Sequence, residues 1–259
     1  MHEISTSGLL IGYLLLAIPL AILLWARVPM IPSVLWSVVR MTVQLLLVGF
    51  YLRFVFALNH LAINLAWLLI MIMVADGAAL TGSGLRLRRM GPALFIAVAV
   101  GTLVPVLIFT GGILRLDSLF EAQYLIPISG MVLGNCLRAD IIGLRAFYGA
   151  IRKNRGACQL CLTEGATLHE MTRPWLRDAL EAALAPTVAT MATIGLVSLP
   201  GMMTGVILAG ADPMTAVIYQ IAIMIAIFSG TALTVLLAIL LSLRSSFDPY
   251  GNLDERIFR

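Results

Sequence analysis

Few side chains in this 259-residue chain can do chemistry: thirteen Asp and Glu, three His, three Cys and thirteen Met. Asp76 and Asp140 stand out, because each sits inside a long apolar run. A carboxylate surrounded by lipid-soluble residues is costly to maintain, so it is a functional suspect by default. Asp76 has no basic neighbour in sequence and reads as a cation contact. Asp140 follows Arg138 by two residues and could pair with it or reach an interface. Gln44 and Asn135 carry no charge and could hydrogen-bond across helices or line a path. Met131, Met202 and Met203 offer thioethers, which favour soft ions such as Cu(I), whereas iron prefers imidazole or carboxylate oxygen. Met also fills gaps in apolar interiors, and packing is the reading for any single one. Glu121 and Asp212 lie between apolar runs, where they could concentrate cations or simply be solvated.

Other chemistries find no residues to run them. His2, His60 and His169 lie in separate segments and are not spaced as metal ligands. Cys158 and Cys161 form a C-x-x-C without a second pair, so they read as reduced thiols, with metal binding the minor alternative. The chain has no G-x-x-x-x-G-K-[ST], and its only lysine is Lys153, so nothing here would cradle ATP phosphates. H-E-x-x-H and G-x-S-x-G are also missing. The chain is therefore read as a non-enzyme, without a cofactor of its own. If ATP drives it, a partner must bind the ATP and its Mg.

The elements that must position these residues follow from composition. Hydrophobic residues make up 61% of the chain and charged ones 12%, with a mean hydropathy of +1.01. Too few polar residues remain to cover a water-facing surface, so the bilayer is the solvent. The basic residues, nearly all Arg, sit in short loops, which is a membrane-orientation pattern and no signal for nucleic acid. About 20 mainly apolar residues span a bilayer. Seven segments qualify: Gly8 to Ala26, Leu35 to Phe56, Leu61 to Leu80, Pro92 to Leu114, Ala122 to Phe147, Leu180 to Leu199 and Met214 to Leu243. The expectation is one all-α polytopic domain over residues 1–259.

Arg86, Arg88 and Arg89 follow the third segment, Arg145 to Arg177 the fifth, and Arg244, Arg256 and Arg259 the seventh. Positive charge marks the cytoplasmic side, so the N-terminus is expected outside and the C-terminus inside. The opposite loops carry only Arg53 and Arg115 as bases, with Asp117, Glu121 and Asp212. Residues 160–178 then fall on the cytoplasmic face, between the fifth and sixth segments. From Leu168, apolar Leu168, Met171, Trp175, Leu176, Ala179, Leu180 and Ala183 recur at helical spacing. Arg177 and Glu181 are four apart and could pair. Pro174 removes a helix hydrogen bond, so a short helix, a bend and then the sixth span are expected. One reading lays this amphipathic stretch on lipid headgroups. The other makes Glu164-Gly165-Ala166-Thr167 a tip that docks a cytoplasmic protein.

Two further stretches echo each other. Pro127-Ile128-Ser129-Gly130-Met131 runs on to Gly134, and Pro200-Gly201-Met202-Met203-Thr204 ends on Gly205, so both carry G-M-x-x-G after a proline. Both are expected in the outer half of the membrane. Broken backbone there is tolerated only where protein or a cavity satisfies it, and often marks a transport path. The alternative is close helix packing through small residues.

The run Glu164-Gly165-Ala166-Thr167, with its amphipathic helix and Ala183-x-x-Pro186, resembles the coupling loop of ABC transporter permeases. Gly195-Leu196-Val197-Ser198-Leu199-Pro200-Gly201-Met202-Met203-Thr204-Gly205 is similar to the hallmark of the FetB/YbbM (UPF0014-type) family. Leu35-Trp36-Ser37-Val38 with Arg40 and Gln44, and Ile126 to Met131 with Gly134-Asn135, resemble it too; the likeness spans about residues 35–243. Arg138 and Asp140 carry charge where the resemblance implies neutral residues. It implies a permease subunit, working as a homodimer with two copies of a separate FetA-like ATP-binding subunit and exporting iron. Plant relatives are linked to aluminium tolerance. Coupling would fall to Glu164, Gly165, Ala166, Thr167, Leu168 and Met171. The translocation path would run past Gln44, Asp76, Met131, Asn135, Ser198, Pro200, Gly201, Met202 and Met203. Import or another substrate is the nearest alternative, and a non-transporting membrane regulator that docks a cytoplasmic partner is the alternative of a different class.

Overall fold

The computed structural model describes residues 6–116, 118–248 and 250–258, without the side chains of Thr6, Ser7 and Leu87. His2, Asp117 and Arg259 therefore lie outside the described residues. The described chain is helical, with no strand beyond isolated bridges. It is an all-α membrane protein in which six helical stretches are long and apolar enough to cross a bilayer. The chain divides into two compact units, residues 1–58 and 59–259.

The first unit holds α1 (Thr6–Leu14), α2 (Ala17–Trp25) and α3 (Ile31–Leu58). The expected first span is broken between α1 and α2. Pro19 is the cause, since it has no N–H for the carbonyl of Leu15 and its ring crowds that carbonyl. The Tyr13 hydroxyl and Thr42 Oγ1, 2.6 Å apart, tie α1 to α3. Apolar side chains such as Leu14 and Phe50 are exposed on these helices, as expected where lipid is the solvent.

The second unit holds α4 (Leu61–Ser83), α5 (Leu87–Leu107), α6 (Ala122–Lys153), α7 (Arg155–Thr163), α8 (Leu168–Thr193), α9 (Gly201–Leu208) and α10 (Pro213–Ser246). A π-helical stretch, Ile108–Ile113, prolongs α5. Side-chain registers fix the helix directions. Gly82 faces Ile141 and Gly130 faces Met71, so α4 and α6 run parallel. Thr234 meets Asp140 and Ser242 meets Tyr148, so α10 is parallel to α6. Gly101 packs on Thr234, and Met90 Sδ lies 3.4 Å from the Ser246 hydroxyl, so α5 runs the other way. On α8, Ala183 lies beside Gly143, and Met171 lines the same cavity as Ile151, so α8 is also antiparallel to α6.

Glycine lets these helices approach closely. A Cβ on Gly230 would stand 2.7 Å from the carbonyl oxygen of Gly101, and one on Gly101 would stand 2.7 Å from Thr234 Cβ. Lipid tails are as apolar as Leu, so close van der Waals contact between small residues has to hold such helices together.

Several expectations change. The segment Leu180 to Leu199 is not a helix of its own. Helix α8 starts twelve residues earlier and ends at Thr193, and residues 194–200 form a turn before α9. It is not among the six stretches that qualify by length and composition; its first half carries Arg173, Arg177, Asp178 and Glu181. Pro174 does not end the helix, which runs through both Pro174 and Pro186. Each proline forfeits one hydrogen bond, and packing on α6 and α10 outweighs the loss.

A C-terminal strap was not foreseen. Arg86 N–H donates to the Ile257 carbonyl at 2.8 Å, and Ile257 is fully buried. Arg89 pairs with Asp254, Arg152 and Arg155 with Glu255, and Arg152 stacks over the Phe258 ring. The strap thus joins the α4–α5 turn to the end of α6 and the start of α7.

Gly230→Val is expected to lower stability by about 1–3 kcal/mol through overpacking. Gly205→Ala, where a Cβ meets open space, is expected to be near neutral. Thermal unfolding in one detergent compares the two; equal transitions would exclude the close seam.

Candidate functional site

Each coupling residue has a structural job. Helix α7 ends in a Schellman motif: Gly165 N–H donates to Leu162 O and Ala166 N–H to Cys161 O, both at 3.1 Å. Gly165 takes φ +95°, a left-handed conformation that suits glycine. Two residues later a capping box opens α8. Glu170 N–H donates to Thr167 Oγ1 at 3.3 Å, and Thr167 N–H donates to Glu170 Oε2 at 2.8 Å. The four residues Glu164 to Thr167 therefore make a short corner capped on both sides. Glu164, Gly165 and Thr167 are exposed and Ala166 and Leu168 half-buried, while Met171 is buried and anchors the corner to the bundle. A cavity of about 160 Å³ lies behind α7, lined by Arg155, Cys158, Met171 and Leu253 among others.

Burial pushes the Cys158 thiol above its usual range, which keeps it protonated and a poor ligand or nucleophile. Cys161 is exposed. Among the described residues no three His, Cys, Asp or Glu side chains gather to hold a metal.

The candidate path residues of the second unit do not gather in one place. Met131 and Pro127 of α6, Met202 and Val206 of α9, and Tyr219 of α10 line one cavity of about 450 Å³. The two G-M-x-x-G stretches thus converge, but only one of them breaks the backbone. Helix α6 runs unbroken through Pro127, Gly130 and Gly134, whereas the chain turns at residues 194–200 and Pro200 caps α9. In that turn Gly195 N–H donates to Ser198 O at 2.9 Å, and Leu196 and Val197 project with 92% and 80% exposure. Ser198 and Gly201 are exposed; Pro200 and Met203 are half-buried and lie outside the lining. Asn135 donates to Met131 O at 2.8 Å, a bond back onto its own helix. Gln44 is exposed on α3 in the first unit.

Neither Asp76 nor Asp140 lines that cavity. Asp76 is buried on α4 and its Oδ1 has no hydrogen-bond partner among the described residues. Asp140 is fully buried on α6 and accepts a 3.0 Å bond from Thr234 of α10. It does not pair with Arg138, which is exposed. Two residues along a helix are about 200° apart around its axis, so the two side chains point to opposite sides. The Arg177–Glu181 pair also does not form among the described residues, although both line one exposed face.

Two exposed carboxylates give a pH expectation. The Thr167 backbone and hydroxyl bonds hold Glu170 below the usual carboxylate range. The Arg256 N–H, then Arg89, do the same for Asp254. A lowered folded value means that their contribution is complete above the unfolded value of about 4 and lost as pH falls through the folded one. Corner and strap are therefore expected to loosen first on acidification below about pH 4. Hydrogen exchange of residues 162–171 and 253–258 at falling pH reads this; unchanged protection would refute it.

Residues 6–247 match the family described as "Uncharacterised protein family (UPF0014)". The chain is 32% identical over 94% of its length to the UPF0014 membrane protein slr1647 of Synechocystis, covering 95% of that protein. It is 31% identical over 95% of its length to the "Probable iron export permease protein FetB" of Escherichia coli, covering 94% of it. It is 29% identical over 74% of its length to "Protein ALUMINUM SENSITIVE 3" of Arabidopsis thaliana, covering 69% of it. No solved structure matches. With a family match over nearly the whole chain and a bundle of apolar helices, the protein is a multi-pass membrane protein that belongs to the UPF0014 family.

Proposed function

We propose that the chain is the membrane-spanning permease of an ABC transporter, and that the Glu164–Thr167 corner receives a separate ATP-binding subunit. The corner carries this reading. It is exposed, capped on both sides by local hydrogen bonds, and leads directly into α8, whose Met171 lines one cavity with Ile151 of α6, so a push there is passed to both helices. Pro127, in the wall of the Met131–Met202 cavity, lies 26 residues before Lys153 at the end of α6, which is about 40 Å at 1.5 Å per residue. Met171, one turn into α8 from the corner, shares a cavity with Ile151 near that end of α6, so the corner lies towards the end of α6 far from the Met131–Met202 cavity, as a transporter that couples ATP hydrolysis to access across a membrane requires.

In this reading α8 is the sixth of seven crossings, the corner faces the cytoplasm, and the N-terminus is outside. A second copy of the chain completes the pathway. The cargo is a metal cation moved outward, in line with the printed name of the Escherichia coli relative. ATP and Mg belong to the partner.

Glu164→Arg and Gly165→Val test the docking. The first reverses an exposed charge. The second forces a β-branched residue into φ +95° at about 1–2 kcal/mol. Both are expected to weaken co-purification with the ATP-binding subunit at least tenfold and to abolish metal-stimulated ATP hydrolysis in proteoliposomes. Unchanged binding by both variants would end the docking proposal.

A further inference from the structure

Two neighbouring helices present faces that do not suit lipid. The exposed residues of α6 between its first turn and its last are Gln123, Pro127, Gly134, Arg138, Arg145 and Gly149. At 100° per residue they fall within about 80° of one another around the helix axis. No large apolar side chain is exposed on this helix among the described residues. Helix α8 is similar. Its first half exposes Glu170, Arg173, Arg177, Asp178 and Glu181 on one face. From Ala185 to Thr193 its exposed residues are Ala, Pro and Thr, with the single exception of Val188. Other helices differ: α10 exposes Ile218, Ile221 and Ile225, and α4 exposes Leu65, Leu69 and Val74. Large apolar residues are what lipid accepts, whereas small and polar ones mark contact between membrane helices. Arg138 sharpens the contrast. It lies 16 residues into α6 from Ala122, about 24 Å along the axis, and forms no ion pair among the described residues. Lipid tails are a costly neighbour for an arginine.

The charges say what covers this surface. A Cβ on Gly143 of α6 would stand 3.4 Å from the Ala183 Cβ of α8, so the two helices touch there. They run antiparallel. Arg145, two residues on from Gly143, and Glu181, two residues back from Ala183, therefore stand at one height, about 3 Å along the axis from that contact. Both are exposed, and neither has an ion pair among the described residues. We propose that this surface receives a second copy of the chain, with α6 of each copy against α8 of the other and Arg145 paired with the partner's Glu181. A two-fold axis parallel to the helices keeps every height unchanged and sets α6 opposite α8, so the pair forms twice in a self-complementary contact. Gly134 and Gly149 on one side, and the Ala and Thr positions of α8 on the other, let the backbones come close. The opposite charges fix register and choice of partner more than they add affinity. That the two copies enclose a transport path rests on the permease reading above; the contact itself does not.

Disulfide cross-linking of the full chain in lipid, without the ATP-binding subunit, tests the contact. Two differently tagged forms are co-expressed, one with Gly149→Cys and one with Arg177→Cys. These positions lie six residues on from Gly143 and six back from Ala183, again at one height, and a Cβ on Gly149 meets open space. Both forms carry Cys161→Ser, since Cys136 and Cys158 are buried. A disulfide between the two forms is expected at several times the yield given by Ile225→Cys, an exposed residue of α10. In the chain without added cysteines, Arg145→Glu and Glu181→Arg are each expected to weaken dimerisation about tenfold, and the two together to restore it. A yield no higher than that of Ile225→Cys, or a chain that stays monomeric throughout, overturns the second copy as the occupant. A dimer that both single reversals leave intact overturns the Arg145–Glu181 pair. Failure of the corner variants to affect docking would sink the transport reading and leave this cross-link in place.

Discussion

Close approach of α5, α6 and α10 at glycine is the constraint on which the bundle depends. In a bilayer no hydrophobic force draws one apolar helix to another, so contact area and shape must do it. Gly101, Gly230 and Gly143 remove the side chains that would hold these helices apart. The same approach lets the Thr234 hydroxyl reach Asp140 across the seam, so packing and polar chemistry share one place. The Tyr148 hydroxyl, between those of Ser242 at 2.6 Å and Ser246 at 2.7 Å, repeats the arrangement two turns further along α6 and α10.

Around this centre the chain puts two different kinds of end. At one, local hydrogen bonds define the corner between α7 and α8, and the strap fastens α7 and the end of α6 to the α4–α5 turn through Arg89, Arg152 and Arg155. At the other, the helical pattern gives way at residues 194–200, and Met202 comes to lie opposite Met131. Order at the corner and irregularity at the far end are the two features that the permease proposal uses.

Sequence and structure part company where neighbours outweigh local preference. Pro174 and Pro186 are strong breakers in isolation, yet α8 passes through both because its apolar face is buried on α6 and α10 through Ala179 and Ala183. Pro19 breaks its helix as its chemistry demands, in a segment with no buried residue to oppose the break. The glycines of α6 leave the helix intact, and Gly130 simply meets Met71 at ordinary contact distance. Asp140 could be placed in an apolar run from sequence, but its partner could not, since Thr234 lies 94 residues away.

By itself the sequence determined what depends on composition and on neighbours within a turn or two. The excess of apolar residues dictated lipid as solvent and helix as the form, because a backbone without water must satisfy itself. Gly165, Thr167 and Glu170 determined the corner, because a left-handed cap and a capping box need only adjacent residues. Only the tertiary structure decided that Asp140 faces Thr234 and not Arg138, that Met131 and Met202 share a cavity while Met203 does not, and that Ile257 closes against the α4–α5 turn. These contacts join distant stretches of chain. Helix spacing fixes which side of a helix a residue occupies, and packing fixes what it finds there.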